Sequence, residues 1–140
     1  MTENQALQIA NLLNERNQLT TAYTANSILA SEDRYVFYEE TKIVVACAEI
    51  KKVQWYQWEI RHVSVHEKFE RRGYGRRILQ FAERKVKDNG GLIAQCTVRA
   101  DNHSSIMLFL ASDYIKAISF FNKATGNYIQ VFQKSLVTDY

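Results

Sequence analysis

Residues 56–88 constrain this chain more than any other stretch. A run with period-2 alternation, 56–65, leads into Glu70-Arg71-Arg72-Gly73-Tyr74-Gly75-Arg76-Arg77, after which Ile78, Leu79, Ala82 and Val86 recur at helical spacing. A strand feeding a glycine turn that opens a helix makes an anion cradle. Glycine accepts positive φ and lets a ligand approach the backbone. The first helical turn presents unpaired N–H groups at the positive end of the helix dipole. The helix predicted from residue 73 ends at Lys87-Asp88-Asn89-Gly90-Gly91, where basic residues and then glycines stop it. Residues 92–98 read as a short, nearly all-apolar strand with both faces covered. Strand, crossover helix and strand in that order imply a right-handed parallel unit. The plain alternative is a glycine-relaxed surface turn leading into a solvated basic helix.

Composition narrows what such a unit serves. The chain has 140 residues, enough for one domain over 1–140 with one sizeable core, and its 46% hydrophobic and 24% charged residues are ordinary for a globular protein. The net charge of +3 is mild, and four arginines crowd into residues 71–77. That pattern favours a localised anionic ligand over a nucleic acid bound across the whole surface. No long apolar span and no signal-peptide pattern is present, so the expectation is a cytoplasmic protein without a membrane partner. Cys47 and Cys96 lack metal-ligand spacing and read as buried thiols. His62, His66 and His103 show no paired spacing either, so no metal is expected and the histidines read as structural or surface groups.

The flanking segments complete an order of elements. Thr2 with Gln5 forms a capping-box pattern for a helix over 2–17, with Ala6, Ile9, Ala10 and Leu13 on one face. A shorter helix is expected over 21–30, burying Ala25, Ile28 and Leu29. Runs 35–39, 42–53 and 56–65 read as an antiparallel meander with a tight connection at Glu40-Thr41. In the third run strict alternation places Glu59, Val63 and Val65 on one face and Trp58, Ile60, His62 and Ser64 on the other. Beyond residue 102 come a short helix and two strands, 114–122 and 127–136, joined by a turn containing Gly126.

The stretch from Glu70 to Gly75 resembles the coenzyme-A signature of the GNAT superfamily of N-acetyltransferases, Q/R-x-x-G-x-G/A, with Glu70 standing where the signature carries Gln or Arg. Residues 102–114 resemble a second GNAT pattern, N-x-x-A-x-x-L-Y-x-x-x-G-F. Asn102 and Leu108 match, Ser105 replaces a small residue, Tyr114 replaces Phe, Asp113 replaces Gly and Phe109 replaces Tyr. The element order α-α-β-β-β-α-β-α-β-β is similar to that of the superfamily over nearly the whole chain, lacking only a clear first strand. The resemblance implies a mixed, mostly antiparallel α/β (α+β) sheet with a splayed central parallel pair flanked by helices. It implies acetyl-coenzyme A as co-substrate, with Arg71, Arg72, Gly73, Tyr74, Gly75 and Arg76 at the diphosphate. Val63 and Val65 would lie along the pantetheine arm, where amides can pair with strand backbone, and Asn102 and Phe109 would border the coenzyme.

Glu59 precedes Gly73 by the spacing of the catalytic glutamate in histone-type members, and Glu49 is the reserve base. Phe109 stands where a tyrosine often reprotonates the thiolate. A phenyl ring cannot, which leaves Tyr74 or Ser112 as replacements. The two first helices of such proteins wall the acceptor site, so Tyr23 and Arg34 are candidate contacts beside roles in core or surface. The acceptor is an amine: a protein amine by preference, with small-molecule amines or aminoacyl-tRNA open. The aromatic-rich final strands could pair two copies of the chain. Two other classes stay open, a GNAT-fold protein that binds acyl-coenzyme A without transfer and a nucleic-acid module using the Arg71–Arg77 segment.

Overall fold

The computed structural model describes residues 1–17 and 19–137. Helix α1 (Glu3–Arg16) opens with the expected capping box: the Thr2 hydroxyl accepts from the Gln5 N–H at 3.1 Å, and the Gln5 side-chain oxygen accepts from the Thr2 N–H at 2.9 Å. Ala6, Ile9, Ala10 and Leu13 are buried along one face. Helix α2 (Ala25–Ala30) starts later than residue 21, because Thr24 and Ser27 form a second capping box and leave residues 21–24 outside the helix. Ile28 is fully buried there, while Ala25 and Leu29 pack at the margin.

Strands β1 (Tyr35–Glu40), β2 (Ile43–Lys52) and β3 (Gln57–Val65) form the meander. Thr41 and Lys42 join the first two with φ of 45° and 67°, as a two-residue hairpin turn requires. Helix α3 (Tyr74–Asp88) crosses over to β4 (Ile93–Arg99), which runs parallel to β3. Helix α4 (His103–Ala111) and the hairpin β5 (Ile115–Asn122) and β6 (Asn127–Ser135) follow, giving the sheet order β1-β2-β3-β4-β6-β5. Every pairing other than β3–β4 is antiparallel. The fold is therefore the mixed α+β sheet with one central parallel pair, in the expected element order.

Two apolar layers hold the sheet. Ile78, Leu79, Ala82 and Val86 of α3 pack with Ile50, Ile60, Ala94 and Cys96 on one face. On the other, Ile9, Leu13 and Ile28 pack with Tyr35, Val44 and Cys47. Both cysteines are free and buried, and burial pushes the Cys47 thiol up to about 12. Because α1 packs over β2 and β3, with α2 beside it, β4 is covered on one face alone. Ala94, Cys96 and Val98 are buried, whereas Gln95 joins an amide row in which Gln57 and Gln133 donate to its oxygen at 2.7 and 2.9 Å. The expectation that both faces of this strand are covered is corrected. Beyond β4, Tyr114 and Phe132 enter the core, while Phe120, Phe121 and Tyr128 remain exposed on the final hairpin.

The end of α3 depends on two glycines. Gly90 takes φ 87°, and the Gly91 N–H returns to the Val86 carbonyl at 2.9 Å. A Cβ on Gly91 would lie 2.4 Å from a Val86 methyl and 2.7 Å from the Trp58 ring. Gly91→Ala is expected to destabilise the fold by about 1–3 kcal/mol through this overpacking, measured as a lower denaturant midpoint with an unchanged slope.

A bulge in β3 decides where the side chains of the site point. The β2–β3 register slips by one residue between Cys47 and Glu49, and His62 has φ 54°. The extra residue breaks the alternation. Trp58, Ile60, Val63 and Val65 all pack into the α3-side core, so Val63 follows Ile60 on that face where strict alternation would place His62. Glu59 consequently does not share a face with Val63 and Val65. It lies on the opposite side, with Gln57 and Gln95.

Candidate active site

The parallel strands part early. Gln57, Trp58 and Glu59 pair with Ile93, Ala94 and Gln95, and no rung follows. Past Glu59 the strands diverge into a wedge, with cavities opening on both sides of the sheet.

On the α3 side lies a groove of about 840 Å³ lined by the loop that opens α3, by Val63 and Val65, and by the α4 face carrying Ser105 and Leu108. Gly73 is the N-cap of α3 with φ 81°, and Arg71 has φ 63°. The first intrahelical bond runs from the Arg77 N–H to the Gly73 carbonyl at 3.1 Å. The N–H groups of Tyr74, Gly75 and Arg76 precede it, as donors for an anion at a helix start. Gly75 stands between the walls: its missing Cβ would sit 3.5 Å from Leu108 and 3.8 Å from Val65.

Eight of the residues expected at a coenzyme therefore meet in one groove: Val63, Val65, Arg71, Gly73, Tyr74, Gly75, Arg76 and Asn102. Two do not. Arg72 lies with its guanidinium 5.4 Å from the centre of the Phe69 ring, outside the groove lining. Phe109 is 5% exposed and packs against Tyr114 and Phe132, with ring centres 5.8 and 5.6 Å away. The helix turns Leu108, not Phe109, to the groove. Neither replacement acid lies free beside it: the Tyr74 hydroxyl donates to Glu40 at the end of β1, and Ser112 is a buried residue outside the lining. Glu70 does line the groove, held by an ion pair with Arg16 from α1. Asn102 caps α4, its side chain accepting from the Ser105 N–H at 3.2 Å, while also bordering the groove.

On the opposite side two further cavities, about 740 and 510 Å³, share Leu19, Thr20 and His62. The first reaches Arg16 and Asn102, and so meets the α3-side groove at those residues. The second contains Tyr23, Tyr35, Arg34, Glu49 and Arg61. Both acceptor-contact candidates, Tyr23 and Arg34, lie there. The Glu49 carboxylate, 4% exposed, accepts from the Tyr23 hydroxyl at 2.5 Å. Burial first, then that bond, raises the Tyr23 phenol, and burial with the Glu49 charge pushes Tyr35 up to about 12. Glu59 sits at the last paired rung, with an oxygen 3.3 Å from Arg61 Nε. The end of α1 is pinned across the wedge by Asn17, which donates to Ser64 Oγ at 2.8 Å. Arg16 and Asn17 carried no signal in the sequence, since their place comes only from how α1 ends against β3.

The sequence matches the model of the acetyltransferase (GNAT) family over residues 4–114. The chain belongs to this family. Solved structures agree on the fold of this GNAT protein at low identity. Ard1 from Thermoplasma volcanium superposes with a TM-score of 0.82 at 17% identity, covering 99% of this chain and 95% of its own. The structure of yncA from Salmonella typhimurium, which contains its cofactor acetyl-CoA, gives 0.83 at 16% identity, with 100% and 93% covered. The ribosomal-protein-alanine N-acetyltransferase from Brucella melitensis gives 0.76 at 18%, with 97% of each chain covered. No curated protein sequence matches the chain. Among the described residues no helix is long and apolar enough to cross a membrane, and no group of three or more potential ligands gathers for a metal ion.

Proposed function

We propose that this GNAT protein transfers an acetyl group from acetyl-coenzyme A directly to an amine, with a protein amine as the preferred acceptor. The observation that carries the reading is the wedge itself. A groove with helix-start N–H donors, Arg71 and Arg76 lies on one side of β3, and a cavity holding Glu49, Tyr23 and Arg61 lies on the other. The groove suits the coenzyme: the donors and arginines meet its diphosphate, and the gap at Gly75 leaves room between Val65 and Leu108. When bound, acetyl-coenzyme A supplies the activated acyl group. The protein's part is to bring amine and thioester together, which provides about 7–11 kcal/mol, and to manage one proton.

Magnitudes favour a chain-terminal α-amine within the protein class. With a pKa of about 7.7–8.0 it costs about 1 kcal/mol to free at pH 7, against about 4.6 kcal/mol for a lysine near 10.4. The relative from Brucella melitensis acts on ribosomal-protein alanine, which supports the same acceptor type here. Two carboxylates near the wedge are the candidate bases, Glu59 at the rung where the strands part and Glu49 one strand away.

Thermal unfolding with acetyl-coenzyme A, against adenosine diphosphate as control, tests the reading. Saturation at about a hundred times Kd stabilises the fold by roughly 2.7 kcal/mol, a shift of several degrees. Mass spectrometry should then show acetylation of a peptide with a free α-amine. Glu59→Gln is expected to lower kcat/KM about 10²-fold or more without changing coenzyme affinity. The absence of any thermal shift would sink the transferase reading.

A further inference from the structure

The transfer moves one proton from the amine to the leaving sulfur, and the side chains expected to handle it are engaged elsewhere. Phe109 is a core ring, the Tyr74 hydroxyl is committed to Glu40, and Ser112 lies buried outside the groove. Glu59 is ion-paired with Arg61, and Glu49 is bonded to Tyr23. One side chain stands at the junction of the two cavities on the far side of β3. Among the described residues His62 is the only titratable group that lines both acceptor-side cavities. The next residue, Val63, lines the coenzyme groove on the other side of the sheet. The bulge produces this crossing by holding His62 at φ 54°, a conformation uncommon for a residue with a side chain. Strain of that kind gathers at functional positions.

We propose that the His62 imidazole carries the proton of the transfer, taking it from the amine nitrogen as the C–N bond forms and giving it to the leaving sulfur as the C–S bond breaks. The proposal rests on the transferase reading above. It balances: the amine loses one proton, the thiol gains it, and His62 ends as it began. It also removes the need for a separate acid at position 109.

The surroundings suit the role. Burial, then the charge of Arg61, lowers the pKa of His62 from its usual 6.5, which leaves the ring neutral and able to accept at neutral pH. The Glu49 charge acts the other way and favours the imidazolium once formed. Tyr23 meets the ring edge-on at 6.0 Å between centres. The remaining charged groups around it come from three other elements: Glu15 and Arg16 on α1, Arg99 on β4 and, across the second cavity, Arg34 ahead of β1. Glu59 partly neutralises Arg61 on the same strand.

The test combines two readouts on the full chain. NMR follows the His62 ring through a pH titration, with and without coenzyme A as the probe. A pH–rate profile follows acetyl transfer to a peptide with a free α-amine. Asparagine tolerates the left-handed region and does not titrate in this range, so His62→Asn is the variant of choice. The expected result, after correction for ionisation of the peptide α-amine at about 7.7–8.0, is an acid limb in the wild-type kcat/KM that tracks the NMR midpoint. In His62→Asn that limb disappears and kcat/KM falls about 10²-fold or more, while coenzyme affinity is retained. Glu59→Gln and Glu49→Gln should keep the limb at a displaced midpoint. A wild-type limb that does not coincide with the His62 titration overturns the proposal, and that comparison needs no variant. So does a His62→Asn enzyme with the wild-type profile while Glu59→Gln loses its limb; the proton then goes to the carboxylate and the transferase reading stands. A wild-type protein that binds no coenzyme overturns both.

Discussion

Gly75→Phe should abolish coenzyme binding while leaving the unliganded fold intact. Gly75 is the second residue of α3, and its φ lies outside the left-handed region, so a side chain imposes no backbone strain there. Helix propensity even favours the change, since glycine is the poorest former after proline. The obstacle is space. A Cβ already rests in ordinary contact with Leu108 at 3.5 Å and Val65 at 3.8 Å, so a phenyl ring beyond it must occupy the groove. A 10³-fold loss of affinity would take a ligand at a hundred times the original Kd to about a tenth of the new one. The thermal stabilisation then falls from roughly 2.7 to under about 0.1 kcal/mol. Gly75→Ala, adding only that Cβ, should retain most of the shift. A Gly75→Phe protein that still responds fully to acetyl-coenzyme A would move the coenzyme out of this groove. A protein that unfolds would be read against Gly75→Ala, which separates loss of fold from loss of space.

What the sequence shows of this arrangement follows from which signals are local. The loop that opens α3 is legible because its glycines, arginines and following helix are contiguous, and the groove gathers most of the residues expected there. The capped helix at Thr2 and the alternating strands are legible for the same reason. The bulge is missed by strict alternation, although the sequence marks it: Arg61 and His62 are consecutive polar residues, and the apolar positions shift from 58 and 60 to 63 and 65 across them. The tolerance of histidine for positive φ agrees with that break. Phe109 fails for a different reason. Ile106, Met107, Leu108, Phe109 and Leu110 are consecutive apolar residues, and such a run has no period by which to tell core from groove. The cavities on the far side of β3 draw on α1, the segment before α2, and strands from β1 to β6, a convergence that no spacing along the chain encodes.

Phe132→Ala should be the most damaging core substitution for both stability and coenzyme affinity. Phe132 is 1% exposed at the centre of β6, paired with Cys96 of β4 on one side and Lys116 of β5 on the other. Its ring meets Phe109 at 5.6 Å, and Phe109 in turn meets Tyr114, so these aromatics seat α4 on the sheet. Truncation removes the largest of the fully buried side chains and leaves a cavity beneath that helix, at a cost of about 3–5 kcal/mol. For a domain this size the thermal midpoint should fall by on the order of 10 °C. The consequence reaches the site because the same helix carries Ser105 and Leu108 along the groove wall and is capped by Asn102 at its entrance. A helix loosened at Phe109 holds that wall less well, so coenzyme affinity should drop alongside stability. Phe132→Leu, which fills more of the space, should recover much of both. If Phe132→Ala lost stability on this scale yet bound coenzyme as the wild type does, α4 would be seated by contacts other than the aromatic cluster, and the buried position of Phe109 would have no bearing on the groove.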